Sequence, residues 1–132
     1  MKTISEIKEA HQNKLSKLFE SLGIFFAFSK EQFEQSRKEG VVYADGGYGM
    51  IIPKDNVQEY LQRVQELAKE VETEYAENIP LDDYIEYELH NHEAFYTWST
   101  DDAFEAVKQY YPNCTSDDMK RVFNKVSKSL NS

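Results

Sequence analysis

The block 84–99, YIEYELHNHEAFYTWS, constrains this chain more than any other stretch, because it concentrates two of the three histidines and the only tryptophan. Within it Ile85, Tyr87 and Leu89 alternate with Glu86, Glu88 and His90, the period-two pattern of a half-buried strand. Its aromatic and β-branched residues favour the same state. Unbroken extension would carry Asn91 and Glu93 onto the core face, where an amide and a carboxylate need partners. Either the chain turns near His90-Asn91 or a polar site lies beneath the sheet. A hairpin or bulge is favoured, since Ala94-Phe95-Tyr96-Thr97-Trp98 then forms a second strand. The block is therefore expected to be a two-stranded unit, 84–90 and 94–98, feeding a helix at Thr100.

Around this unit the pattern alternates between amphipathic helices and short strands. Residues 3–22 set Ile4, Ile7, His11, Leu15, Leu18 and Leu22 at three- and four-residue spacing, a helical stripe that Gly23 stops. His11 lies on that stripe and is given no role. Residues 24–28 form a continuous apolar strand. Ser29 caps a short helix over 30–38, with Gln32 as its capping-box partner. Asp45-Gly46-Gly47 between the runs 41–44 and 48–52 is a hairpin signal. The same glycines lack the Lys-Ser/Thr and the following helix of a phosphate loop.

The longest helix is expected over 55–77, where Val57, Tyr60, Leu61, Val64, Leu67, Ala68, Val71 and Tyr75 make one stripe. A helix over 101–111, with Ser99-Thr100 as its hydroxyl cap, and a last one from Thr115, carrying Met119, Val122, Phe123 and Val126, make a C-terminal helical hairpin. The fold expected is α+β, a single domain over 1–132: a small, mostly antiparallel sheet covered by the long helix and the helical hairpin.

Charge is the second constraint. The net charge is -9, and residues 66–93 carry ten acids against one Lys69, which accounts for all of it. Such a field disfavours direct contact with nucleic acid and favours basic protein surfaces. Tyr75, Tyr84 and Tyr87 alternate with acids, a combination suited to an interface with a basic partner. Glu70, Glu72, Glu74, Glu77, Asp82, Asp83 and Glu86 are the candidate partner-binding residues. Acids near the end of the 55–77 helix oppose its dipole, at up to about 1 kcal/mol each, a cost consistent with use of the charge.

No apolar run reaches the length of a membrane span, so no membrane contact is expected. The charged amphipathic start lacks the apolar core and cleavage site of a signal peptide, so a reducing cytosol is expected for the single Cys114. Cys114 reads as a residue of the turn between the last two helices.

Chemistry is sparsely signalled. On a strand His90 and His92 would project to one side, with Glu88 as a third metal ligand and Glu93 as a ligand, orienting group or base. The competing reading is a turn in which Asn91 is left-handed and Glu93 caps backbone donors. No GxSxG, CxxC or HExxH occurs, so no catalytic residue is assigned and no cofactor is expected.

Phe25-Phe26-Ala27-Phe28-Ser29 with Gln32 and Phe33, the glycine hairpin, and Glu88-Leu89-x-Asn91-His92-Glu93 ahead of Thr97 together resemble a family of small uncharacterised proteins from bacteriophages and bacterial mobile elements. The resemblance covers about 24–126. That family has no assigned activity, so the resemblance implies a setting and no catalytic residue: an accessory protein in the cytoplasm of a bacterial host. The leading functional expectation is an acidic protein that docks on a basic protein through residues 66–93, with mimicry of nucleic acid as one form of inhibition. The alternatives are a metal-binding module or metal-dependent hydrolase using His90 and His92 with Glu88 or Glu93, and a phage structural or assembly protein.

Overall fold

The computed structural model describes residues 1–130. The fold is α+β, with seven α-helices and one three-stranded antiparallel sheet among those residues. In chain order the elements are α1 (Ile4–Leu22), β1 (Phe25–Phe26), α2 (Lys30–Ser36), β2 (Tyr43–Gly47), β3 (Met50–Pro53), α3 (Val57–Asn78), α4 (Leu81–Asn91), α5 (Ala94–Thr97), α6 (Asp101–Tyr110) and α7 (Ser116–Leu130), with a 3-10 turn before α3. The chain groups into two compact units, one of residues 8–69 and the other of residues 1–7 and 70 onward.

In the unit of residues 8–69 the sheet has the order β1-β3-β2. Phe25 pairs with Ile51 and Ala44 with Ile52. A bulge falls between Asp45 and Gly47, so the reversal lies at Gly47-Tyr48-Gly49, slightly later than the Asp45-Gly46-Gly47 signal suggests. All three residues take positive φ. Gly49 also lies under the Phe28 ring, where a side chain would collide. Leu18, Leu22, Ile24, Ile52 and Leu67 form this unit's core. The Ser29 hydroxyl accepts from the Gln32 N–H at 3.1 Å. The Gln32 side chain accepts from the Phe28 N–H, one residue before the capping-box position.

In the other unit the expectation for 84–98 is overturned. Residues 84–90 are not a strand: they belong to helix α4. Residues 94–98 supply the single-turn α5 and not a second strand. The physical reason lies in the spacing. Ile85 and Leu89 are four apart, which suits a strand face and a helix face equally well. The residues buried with them are Tyr84 and Glu88, which complete an i, i+1, i+4, i+5 helical stripe, while Tyr87 is only partly buried. Pro80 followed by Asp82 and Asp83 in the first turn is a helix start, because carboxylates there meet the positive end of the dipole.

Helix α4 packs against α6 and α7. Ile85 and Leu89 are 0% exposed, within a core that also holds Tyr75, Val107, Met119 and Val122. Helix α6 starts where expected, with Asp101 and Asp102 in its first turn. The Thr100 hydroxyl makes no cap bond there, and Ser99 reaches the Asp101 N–H only at 3.5 Å. At α7, Thr115 and Asp118 cap one another reciprocally, each side chain accepting from the other's N–H. Among the described residues no helix is long and apolar enough to cross a membrane.

Truncating Leu89 to Ala removes a fully enclosed side chain between three helices. The expected loss is about 2–5 kcal/mol of unfolding free energy, measured by urea denaturation.

Candidate functional site

The acids of residues 66–93 lie on two helices. On α3, Glu70, Glu74 and Glu77 share one longitudinal row, while Glu72 falls on another side of the helix, since residues two apart are roughly 200° apart around the axis. On α4, Asp82 and Asp83 occupy the first turn and Glu86 the second. Glu70, Glu72, Glu77, Asp83 and Glu86 are exposed.

Several of the seven candidate residues already hold intramolecular partners, Glu70 and Glu86 among them. Lys2 Nζ donates to Glu74 at 2.8 Å. Arg121, on α7, donates to both Asp82 oxygens at 2.7 and 2.8 Å, and to Asp118 at 3.4 Å. This fork clamps the start of α4 to α7. The same guanidinium holds the Asp82 carboxyl below the usual carboxylate range. The Lys2 ammonium is pushed up by its hydrogen bond to Glu74.

Between α3 and α4 the chain turns at Ile79-Pro80. At the α3 end the Tyr111 hydroxyl donates to Ile79 O at 2.7 Å and to Tyr75 O at 3.2 Å, the latter also accepting from the Ile79 N–H. Beside it stand Tyr75, Tyr84 and Tyr110 in mutual ring contact. Burial pushes the Tyr111 phenol up to about 12, and burial together with neighbouring charge, Glu88 included, raises Tyr75 and Tyr84 further. These phenols remain protonated donors at physiological pH.

Glu88 is 5% exposed and is the one buried charged residue among those described. Its carboxylate accepts from Asn91 Nδ2 at 3.4 Å and lies 4.0 Å from His92 Nε2. His90 instead faces Glu86 at 3.9 Å and packs on Phe95. The helix thus separates the two histidines that an extended strand would have aligned, each meeting the acid four residues before it. Among the described residues no group of three His, Cys, Asp or Glu side chains is placed to hold a metal ion. Cys114 is buried, and its thiol is raised by burial, which disfavours a reactive thiolate.

The corner after α4 differs from the turn expected there. The left-handed residue is Glu93 (φ 54°, ψ 33°) and not Asn91, and the Glu93 side chain makes no cap bond. Trp98, closing α5, is left-handed as well (φ 58°, ψ 24°). Such conformations are uncommon outside glycine and cost about 1–2 kcal/mol. Between them the Phe95 ring stacks on Phe123 at 5.0 Å, and Trp98 meets Phe123 edge-on. Tyr96 stays 86% exposed and Trp98 72%. His90, Glu93, Phe95, Tyr96 and Leu130 line a groove of about 330 Å³. The Arg121 clamp is not signalled locally, because its members come from separate helices, and the groove, with four of its residues within 90–96, is completed only by Leu130 of α7.

Two outcomes follow. Replacing Asp82 with Asn is expected to lower the melting temperature at neutral pH. Because the folded Asp82 pKa is depressed, its contribution is present above the unfolded carboxylate value near ~4 and is lost as pH falls through the folded value. Melting curves of variant and wild type should therefore converge at acidic pH. Glu93→Gly relieves the left-handed backbone against the added chain entropy of glycine, and should stabilise the protein by about 0.5–1 kcal/mol in urea unfolding.

No curated protein and no solved structure matches the chain. One family model does, described as a family of unknown function (DUF7659), and it spans residues 5–131. With nearly its whole length matched, the chain belongs to the DUF7659 family.

Proposed function

We propose that this protein is a binding protein that docks on a basic protein surface through its acidic helices, with Glu70, Glu77, Asp83 and Glu86 as the contact acids and Glu72, on another side of α3, adding to the field. The single observation that carries this reading is charge segregation. Residues 66–93 hold the whole net charge, and these five side chains stand exposed on α3 and α4. Glu74 and Asp82 are reassigned to structural pairs, with Lys2 and Arg121.

An acidic face of this kind steers a basic partner and speeds encounter, with a strength that falls as salt screens it. Exposed Tyr96 and Trp98 add aromatic contact area of the sort that anchors interfaces. A partner that normally binds nucleic acid would be inhibited by occupation of its basic site. The resemblance to phage and mobile-element proteins supports a setting in the cytoplasm of a bacterial host.

The test is capture from bacterial lysate by wild type and by a variant carrying Glu72→Gln, Glu77→Gln, Asp83→Asn and Glu86→Gln, all at exposed positions. Wild type should retain a partner at about 0.05 M salt and release it by about 0.5 M, and the variant should not retain it at low salt. Retention that ignores both salt and substitution would refute the reading.

A further inference from the structure

We infer that the groove at the α4–α5 corner is a receiving slot for an arginine side chain of the partner. The inference rests on the proposed docking on a basic surface and names the anchor point within it. Its lining is mixed in the way a guanidinium requires. Tyr96 offers a ring face, Phe95 and Leu130 offer apolar walls for the methylene stem, and Glu93 offers a carboxylate. None of the five lining residues is Lys or Arg.

The geometry is held ready for a ligand. Phe95 is fixed between Phe123, parallel at 5.0 Å, and His90 at 4.9 Å, so its ring loses little freedom on binding. Glu93 stands at the N-cap position of α5, yet its carboxylate makes no cap bond. Among the described residues, no hydrogen bond or ion pair engages that carboxylate. The backbone nevertheless holds a glutamate where glycine is the usual residue, at φ 54°. Backbone strain of this kind concentrates at ligand-binding positions.

Arginine is favoured over lysine by the chemistry of the slot. A guanidinium is flat, stacks on aromatic rings and is weakly hydrated, while its N–H fork matches a carboxylate. The volume, about 330 Å³, lies at the small end of ligand clefts, roughly 300–1,000 Å³, and suits one long side chain.

The experiment is an NMR titration of the protein with end-blocked Gly-Arg-Gly, with the matching lysine and norleucine peptides alongside. The arginine peptide is expected to bind in the millimolar range and to shift the signals of His90, Glu93, Phe95 and Tyr96. Glu93→Gln and Tyr96→Ala should each weaken it several-fold, while the lysine peptide binds more weakly and the norleucine peptide does not bind. Amide spectra of both variants report whether the fold is kept, and Glu93→Asp should recover part of the affinity. Equal binding of lysine or norleucine, shifts confined to α3, or no effect of Glu93→Gln would each overturn the slot. Loss of the slot with salt-dependent capture intact removes this inference alone. Capture that ignores salt while arginine still fills the groove removes the docking reading and leaves the slot.

Discussion

The burial of α4 is the constraint on which the unit from residue 70 onward depends. Ile85 and Leu89 have no exposed surface, and they can be enclosed only if α6 and α7 close over them with Val107, Met119 and Val122. Placing a helix there creates two further demands. The carbonyls at the α3 end need donors, and the Tyr111 hydroxyl at the end of α6 donates to Ile79 O and Tyr75 O. The α4 start must be secured at its exposed side, which Arg121 does through its fork to Asp82. Hydrophobic enclosure supplies the driving force, and these polar contacts select the one arrangement that leaves no buried side-chain donor or acceptor unmet among the described residues.

The acids divide by role once the helices are in place. Asp82, Asp83 and Asp118 sit in first turns, where the helix dipole stabilises them. Glu88 is drawn inward among tyrosines and is held by Asn91. Glu72 and Glu77 lie in the second half of α3, where the dipole gives no such reward near the C-terminus. That asymmetry supports the proposed docking on a basic surface. Glu93 and Trp98 hold left-handed backbones that glycine would adopt more easily.

Amphipathic stripes made much of the fold legible. The apolar spacing along α1, α3 and α7 has a period that no strand can satisfy over so many residues. The hairpin was legible too, although its bulge moved the turn from Gly46 to Tyr48. The stretch 84–98 was not, because Ile85 and Leu89 satisfy both periods and the aromatic content leans towards strand. The difference that breaks the tie, buried Tyr84 against partly buried Tyr87, exists only after packing. The same error moved the candidate site: a strand aligns His90 with His92, whereas the helix pairs each with the acid four residues earlier.

By itself the sequence determined the charge segregation of residues 66–93, the α+β class and most helix positions, because these depend on composition and on short-range periodicity. Tertiary structure decided which acids are engaged and which face outward. Asp82 meets Arg121 across 39 residues and Glu74 meets Lys2 across 72, separations over which no local pattern carries information. It also decided the groove, whose walls come from α4, α5 and α7, and the left-handed Glu93, a conformation imposed by chain reversal and not by any preference of glutamate.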